Sequence, residues 1–276
     1  MIAQAPAKQP QTAVQLMTVT PSMAARWLES ANGHNRPLSE SYAAKLARDI
    51  REGRWLLTHE GIAFDPHGVL LDGQHRLWAV VLADRPVQAF VWFNVTPEAL
   101  LVINSGRARS LADNLRLGGG LGDVNCRDLA TLRAMLGHGA DGSSLTPGEA
   151  QGLLALHRDA VTFAGDQLPK ITRVKGLSTG ETRAVVARAF YSAAADRLGA
   201  FCEILRTSIA RCDLDEMVIT LRQYLTTSLG GSRPMRLERY SKMERILLAY
   251  LRGERMTKVY AATKELFPLP EESQTR

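Results

Sequence analysis

Val69-Leu70-Leu71-Asp72-Gly73-Gln74-His75-Arg76-Leu77-Trp78-Ala79-Val80-Val81-Leu82 decides how the first half of the chain is read. Three apolar residues run into a glycine, and beyond it the apolar spacing is helical, which predicts a strand over 69–71 and a helix over 74–82. Asp65-Pro66-His67-Gly68 supplies a turn, so 62–64 and 69–71 form the two arms of a hairpin. A glycine between strand and helix has a chemical use. The unpaired first-turn amides and the positive end of the macrodipole point the same way, and the glycine lets a phosphate approach closely. His75 and Arg76 add donors in that turn, where the helix alone favours anions, and an anionic ligand removes the conflict. A structural reading stands beside it: Arg76 pairs with Asp72 or Asp84, and His75 is a half-buried, hydrogen-bonded side chain.

Outward from this stretch, Thr20 caps a helix that starts at Pro21 and runs to about residue 31. Ala43, Leu46, Ala47 and Ile50 make the buried stripe of a second helix after Ser39, ended by Gly53. Residues 55–57 read as extended, 87–93 as a strand, and Thr96-Pro97 opens a helix ending near Gly106. Residues 1–15 read as a flexible arm. The glycine-rich run 117–122 follows a helix, not a strand, and reads as a linker over 118–124. It separates a domain over 16–117 from an all-helical domain over 125–270 and a tail over 271–276. Helices are expected at 125–137, 147–164, 180–210, 214–229, 235–252 and 256–266, with capping boxes at Thr146 to Glu149 and Ser178 to Glu181. The fold class is α+β.

A chain of 276 residues with 45% hydrophobic and 22% charged side chains buries a core without disulfides, and it is neither disordered nor fibrous. No apolar run approaches the ~20 residues of a membrane span, and residues 1–15 lack the pattern of a secretory signal, so a soluble cytoplasmic protein with no membrane partner is expected. Cys126, Cys202 and Cys212 form no C-x-x-C pair and read as thiols in a reducing compartment. The net charge of +6 leans toward anionic partners.

Several segments in order resemble the ParB N-terminal and sulfiredoxin-like superfamily, especially the DGQHR-type ParB-like proteins of bacterial and phage mobile elements. Asn35-Arg36-Pro37-Leu38, then Leu46-Ala47-x-x-Ile50-x-x-Gly53, then Asp72 to Arg76, and last Ile103-Asn104-Ser105-Gly106-Arg107 carry it. They span about a third of the chain. The resemblance implies a small mixed sheet and a nucleoside triphosphate, CTP or ATP, with or without Mg2+, held by Gly73, Gln74, His75 and Arg76. It adds Asn35, Arg36, Thr58, Glu60, Asn104 and Arg107 as further nucleotide contacts. Gln74 stands where sulfiredoxins place their reactive cysteine, which argues against sulfinic acid reduction. Ile103 stands where partition proteins place a metal-holding carboxylate, and an isoleucine does not ligate a hard cation. Either Glu60, Asp65 or Asp72 then supplies a magnesium oxygen, or metal and hydrolysis are weak or absent, and binding is better supported than turnover.

In the helical half, Arg233, Arg236, Arg239, Lys242 and Arg245 open a basic segment that is the candidate DNA contact. Basic residues at every third position drift around a helix, so a solvated, salt-paired surface is the competing reading. Tyr240, Met243, Leu247, Tyr250 and Leu251 make its core or self-association face. The expected function is that of a nucleotide-binding, DNA-associated regulatory or partition-type protein, able to act as a homodimer. A metal-dependent NTPase or DNA nuclease, and a protein-interaction module with a vestigial pocket, are the alternatives.

Overall fold

A computed structural model describes residues 11–33, 35–103, 109–118, 124–137, 145–170 and 174–270. The chain divides into two units, Met1–Ala108 and Arg109–Arg276. The division falls before the glycine-rich run, not within it. The short helix after Ser110 shares its core with the helical half: Ala112 and Leu115 cluster with Leu129, Leu132 and Leu154.

The first unit is α+β. Its elements are β1 (Ala13–Val19), α1 (Pro21–Ala31), α2 (Glu40–Arg51), β2 (Ile62–Phe64), β3 (Leu70–Asp72), α3 (Gln74–Ala83) and β4 (Val87–Phe93), with a 3-10 turn at Pro97–Leu101. The strands form one mixed sheet in the order β1-β4-β2-β3. β2 and β3 pair antiparallel as the hairpin predicts, and β2 lies parallel to β4 with Ile62 opposite Val91. A parallel pair needs a crossover, and α3 provides it between β3 and β4. α3 packs on α1 and α2, burying Leu77, Ala79 and Val80 against Ala24, Ala47 and Ile50.

Three sequence expectations fail in this unit. Within the described residues the helix expected from Thr96-Pro97 is only the 3-10 turn Pro97–Leu101. Part of the supposed arm is strand: β1 pairs antiparallel with β4 along its whole length, from Ala13 opposite Phe93 to Val19 opposite Val87. Residues 55–57 join no ladder; Trp55 instead donates its indole N–H to the Gln88 carbonyl at 3.0 Å.

Among its described residues the second unit is helical: α4 (Leu111–Gly118), α5 (Cys126–Leu136), α6 (Pro147–Leu156), α7 (Arg158–Gln167), α8 (Gly180–Ala189), α9 (Ala195–Thr207), α10 (Glu216–Thr227) and α11 (Arg233–Arg252). The Thr146 to Glu149 capping box is present, whereas the next lies one residue later than expected, between Thr179 and Thr182. The helix expected over 147–164 is broken at His157, which ends α6 and precedes α7. Its Nδ1 is 2.8 Å from the Tyr191 hydroxyl. The helix expected over 180–210 is two, α8 and α9. Residues 256–266 are not helical; they lead to Phe267 and Leu269, which are buried in the core of the unit. Tyr240, Met243, Leu247 and Tyr250 are core residues of the same cluster. Among the described residues no helix is long and apolar enough to cross a membrane.

Candidate functional site

Gly73 turns the chain from β3 into α3 in the left-handed region, with φ of 105°. A Cβ there would come within 3.0–3.1 Å of Ile62 on β2, so conformation and close approach both select glycine. The Gly73 N–H donates to the Asp72 carboxylate at 2.8 Å, and no side chain caps α3. The uncapped first turn that the sequence implies is therefore present.

The side chains of the motif are already committed. Gln74 is buried, and its Nε2 donates to the Arg36 carbonyl at 2.8 Å. His75, only 8% exposed, accepts the Ser39 backbone N–H on Nε2 at 3.0 Å, while Tyr42 packs edge-on against its ring. The neutral ring thus carries its proton on Nδ1. Burial, followed by the Arg36 guanidinium, lowers its pKa below the usual 6.5. His75 brings no positive charge at neutral pH, contrary to the expectation of two cations in the turn. Its work is to hold the 36–39 segment against α3.

Arg76 does carry charge, and it is held. Its guanidinium donates to the Gly61 carbonyl at 2.8 Å and pairs with Glu60 at 2.7 Å and Asp72 at 3.6 Å. Glu60 and Asp72, the proposed magnesium ligands, are thus the counterions of one arginine. The described residues contain no group of three or more His, Cys, Asp or Glu side chains placed to hold a metal ion.

Of the remaining candidates, Asn35 ties the loop down through Nδ2, which donates to the Leu70 carbonyl at 2.7 Å and to Asn32 at 2.8 Å. Thr58 is exposed, its hydroxyl 3.4 Å from the Glu60 carbonyl. Asn104 and Arg107 lie outside the described residues. Arg36 is exposed and borders a cavity of about 280 Å3 together with Pro37, Ser39, Tyr42 and His75. Ser39 and Tyr42 are the members sequence reasoning missed. A ligand-sized pocket usually encloses roughly 300–1,000 Å3, so this one is small for an entire nucleotide and takes at most part of one.

The five candidate DNA-contact residues of α11 do not share one solvent-facing surface. Arg239 is 4% exposed and donates to the Ser228 and Gly176 carbonyls at 3.2 and 2.7 Å. Lys242 pairs with Glu238 at 2.6 Å and sits 3.8 Å from the Tyr224 ring centroid. Arg245 stacks on Tyr260, 4.5 Å from its ring centroid. Arg236 is half-buried, and Arg233 is exposed. Period-three spacing on a 3.6-residue helix turns part of the row into the core. No protein family, curated protein or solved structure matches the chain.

Proposed function

We propose that the first unit is a ParB-like nucleotide-binding module in which the phosphates of CTP or ATP dock at the start of α3. The observation that carries this reading is the uncapped first turn behind the left-handed Gly73, with Arg36 and His75 on the wall of a small cavity. Among the described residues Arg36 is the cation of that wall that forms no ion pair, and the helix start adds fixed positive potential. The base and ribose would extend beyond this cavity. No hydrolytic step is derived, because Glu60 and Asp72 neutralise Arg76. The resemblance extends the reading to a DNA partner and a homodimer in a regulatory or partition-type role; the described face of α11 lends the DNA contact no support.

A melting panel of the full chain with CTP, ATP, GTP and UTP, each with and without magnesium, tests this. Saturating CTP or ATP at 100 times its Kd adds ~2.7 kcal/mol of stability. Arg36→Ala removes most of that gain, and His75→Ala releases the 36–39 segment and weakens it as well. An unchanged melting temperature with every nucleotide overturns the reading. It would favour a second one, a protein-interaction module with a vestigial pocket, for which the prior commitment of His75 to Ser39 and of Arg76 to Glu60 already speaks.

A further inference from the structure

The second unit holds a larger cavity, about 870 Å3, bordered by α5, α6, α7 and α8 and the segments before α5 and after α7. Its charged lining is Arg127, Arg158, Lys170 and Arg183 against Asp128 and Asp166, four cations and two carboxylates, a local balance of +2. Val124, Leu154, Val161 and Pro169 give the rest of the wall an apolar character. The volume falls within the range of pockets that enclose small molecules.

Arg183 is the unusual member. The residue is 6% exposed, and among the described residues neither Nε nor Nη1 has a hydrogen-bond partner. The nearest carboxylate, Asp128, stands 3.8 Å from Nη2, and its other oxygen accepts the Asn125 N–H. Desolvation lowers the arginine's pKa below its usual value. The chain nonetheless makes room for the group: a Cβ on residue 165 would collide with Nη2, and that residue is Gly165. A buried guanidinium without an adequate counterion is destabilising, and an anion in the cavity supplies the missing charge.

We propose that this cavity binds a small molecule with a dianionic phosphate-type group on an apolar body, Arg183 supplying the central charge and Arg127 and Lys170 the rim. The site is separate from the start of α3 and does not depend on that reading. The apolar wall favours a free small molecule over a polymer backbone.

Cys126 borders the cavity and is exposed, Cys212 is exposed elsewhere, and Cys202 is buried with its thiol pushed up to about 12. Alkylation of the full chain therefore reads occupancy with an internal control. At about pH 8, where a phosphomonoester is fully dianionic, phenyl phosphate at ten times its Kd slows Cys126 alkylation about tenfold and leaves Cys212 unchanged. Phenol does not protect, and inorganic phosphate protects at higher concentration. Arg183→Met abolishes the protection. If that variant does not fold, Arg127→Ala and Lys170→Ala decide, each weakening protection severalfold. No protection by phenyl phosphate, equal protection of Cys212, protection unaltered in these variants, or protection by duplex DNA alone overturns the proposal. Arg36→Ala leaves Cys126 protection intact, which separates this site from the one at α3.

Discussion

Arg76 opens the helix of the first unit's motif and Arg183 lines the cavity of the second, and their surroundings are opposite. Arg76 has two carboxylates and a carbonyl around a guanidinium that still meets water, its side chain being 20% exposed. Arg183 is more deeply buried, has two of its three guanidinium nitrogens without a hydrogen-bond partner among the described residues, and borders a cavity about three times larger. A recognisable motif and an available charge are different things. The motif arginine largely stabilises its own hairpin and helix, whereas the arginine without a signature has interaction left to give.

Arg188 sharpens the contrast, because it lies five residues beyond Arg183 on the same helix and is fully buried. Nε donates to the Phe267 carbonyl at 2.8 Å and lies 3.1 Å from Glu265, and Nη1 donates to the Met135 carbonyl at 2.5 Å. Removing it strands a buried carboxylate and two carbonyls. Arg188→Met is expected to cost about 3–5 kcal/mol. Arg76→Met should cost about 1 kcal/mol, because Glu60 is largely exposed and resolvates. Arg183→Met should stay within about 1 kcal/mol of wild type, since it removes an uncompensated buried charge. Urea midpoints of the three variants measure the series. A loss at Arg183 as large as that at Arg188 would mean that the guanidinium is satisfied in the free protein.

The same contrast governs what the sequence disclosed. Strands β2 and β4, the hairpin and the glycine entry to α3 were legible because apolar runs and turn residues are local signals. β1 was not: it is an edge strand whose first residues are exposed, so it forms through backbone pairing with β4 and carries no apolar alternation. The breaks at His157 and 190–194 were missed because neither has a proline or glycine to mark it. At the site, Gly73 was legible from its place between strand and helix. The acceptor role of His75 was not, because Ser39 is 36 residues away. The Arg183 cavity draws on α5, α6, α7 and α8, and no window of sequence contains it.

Buried titratable groups extend the comparison to pH. In the second unit Glu244 is buried beside Glu265, close to the Tyr240 hydroxyl, and accepts the Leu266 N–H at 3.2 Å. Desolvation, followed by the hydrogen bond and charge of Glu265, pushes its pKa up from 4.5 to about 9. The folded unit therefore holds a proton that the unfolded chain releases. Stability is fully present below about 4.5 and declines as pH rises toward about 9, by at most ~1.4 kcal/mol per pH unit. Glu244→Gln keeps a donor for Glu265 and removes the titration, so the slope flattens. Far-UV circular dichroism in urea follows this mostly helical unit, and an unchanged slope in the variant would move the proton elsewhere.

His75 gives the first unit the opposite and smaller response. Its depressed pKa means that the unfolded chain binds a proton more readily than the folded unit. That stability is present above about 6.5 and is lost as pH falls through the folded value. Protonation also places a hydrogen on Nε2 against the Ser39 N–H, so the 36–39 segment loosens as the charge appears. His75→Gln offers a carbonyl to the same N–H and does not titrate; it is expected to cost less than about 1 kcal/mol at neutral pH and to abolish the acid dependence. Trp27, Trp55, Trp78 and Trp92 are the four tryptophans of the chain and all lie in this unit, so their fluorescence follows its unfolding without interference from the helical half. A tryptophan-detected midpoint that falls equally with acid in wild type and variant would show that His75 is not the responsive group. A midpoint that flattens only in the variant ties the acid sensitivity to the contact that shapes the small cavity.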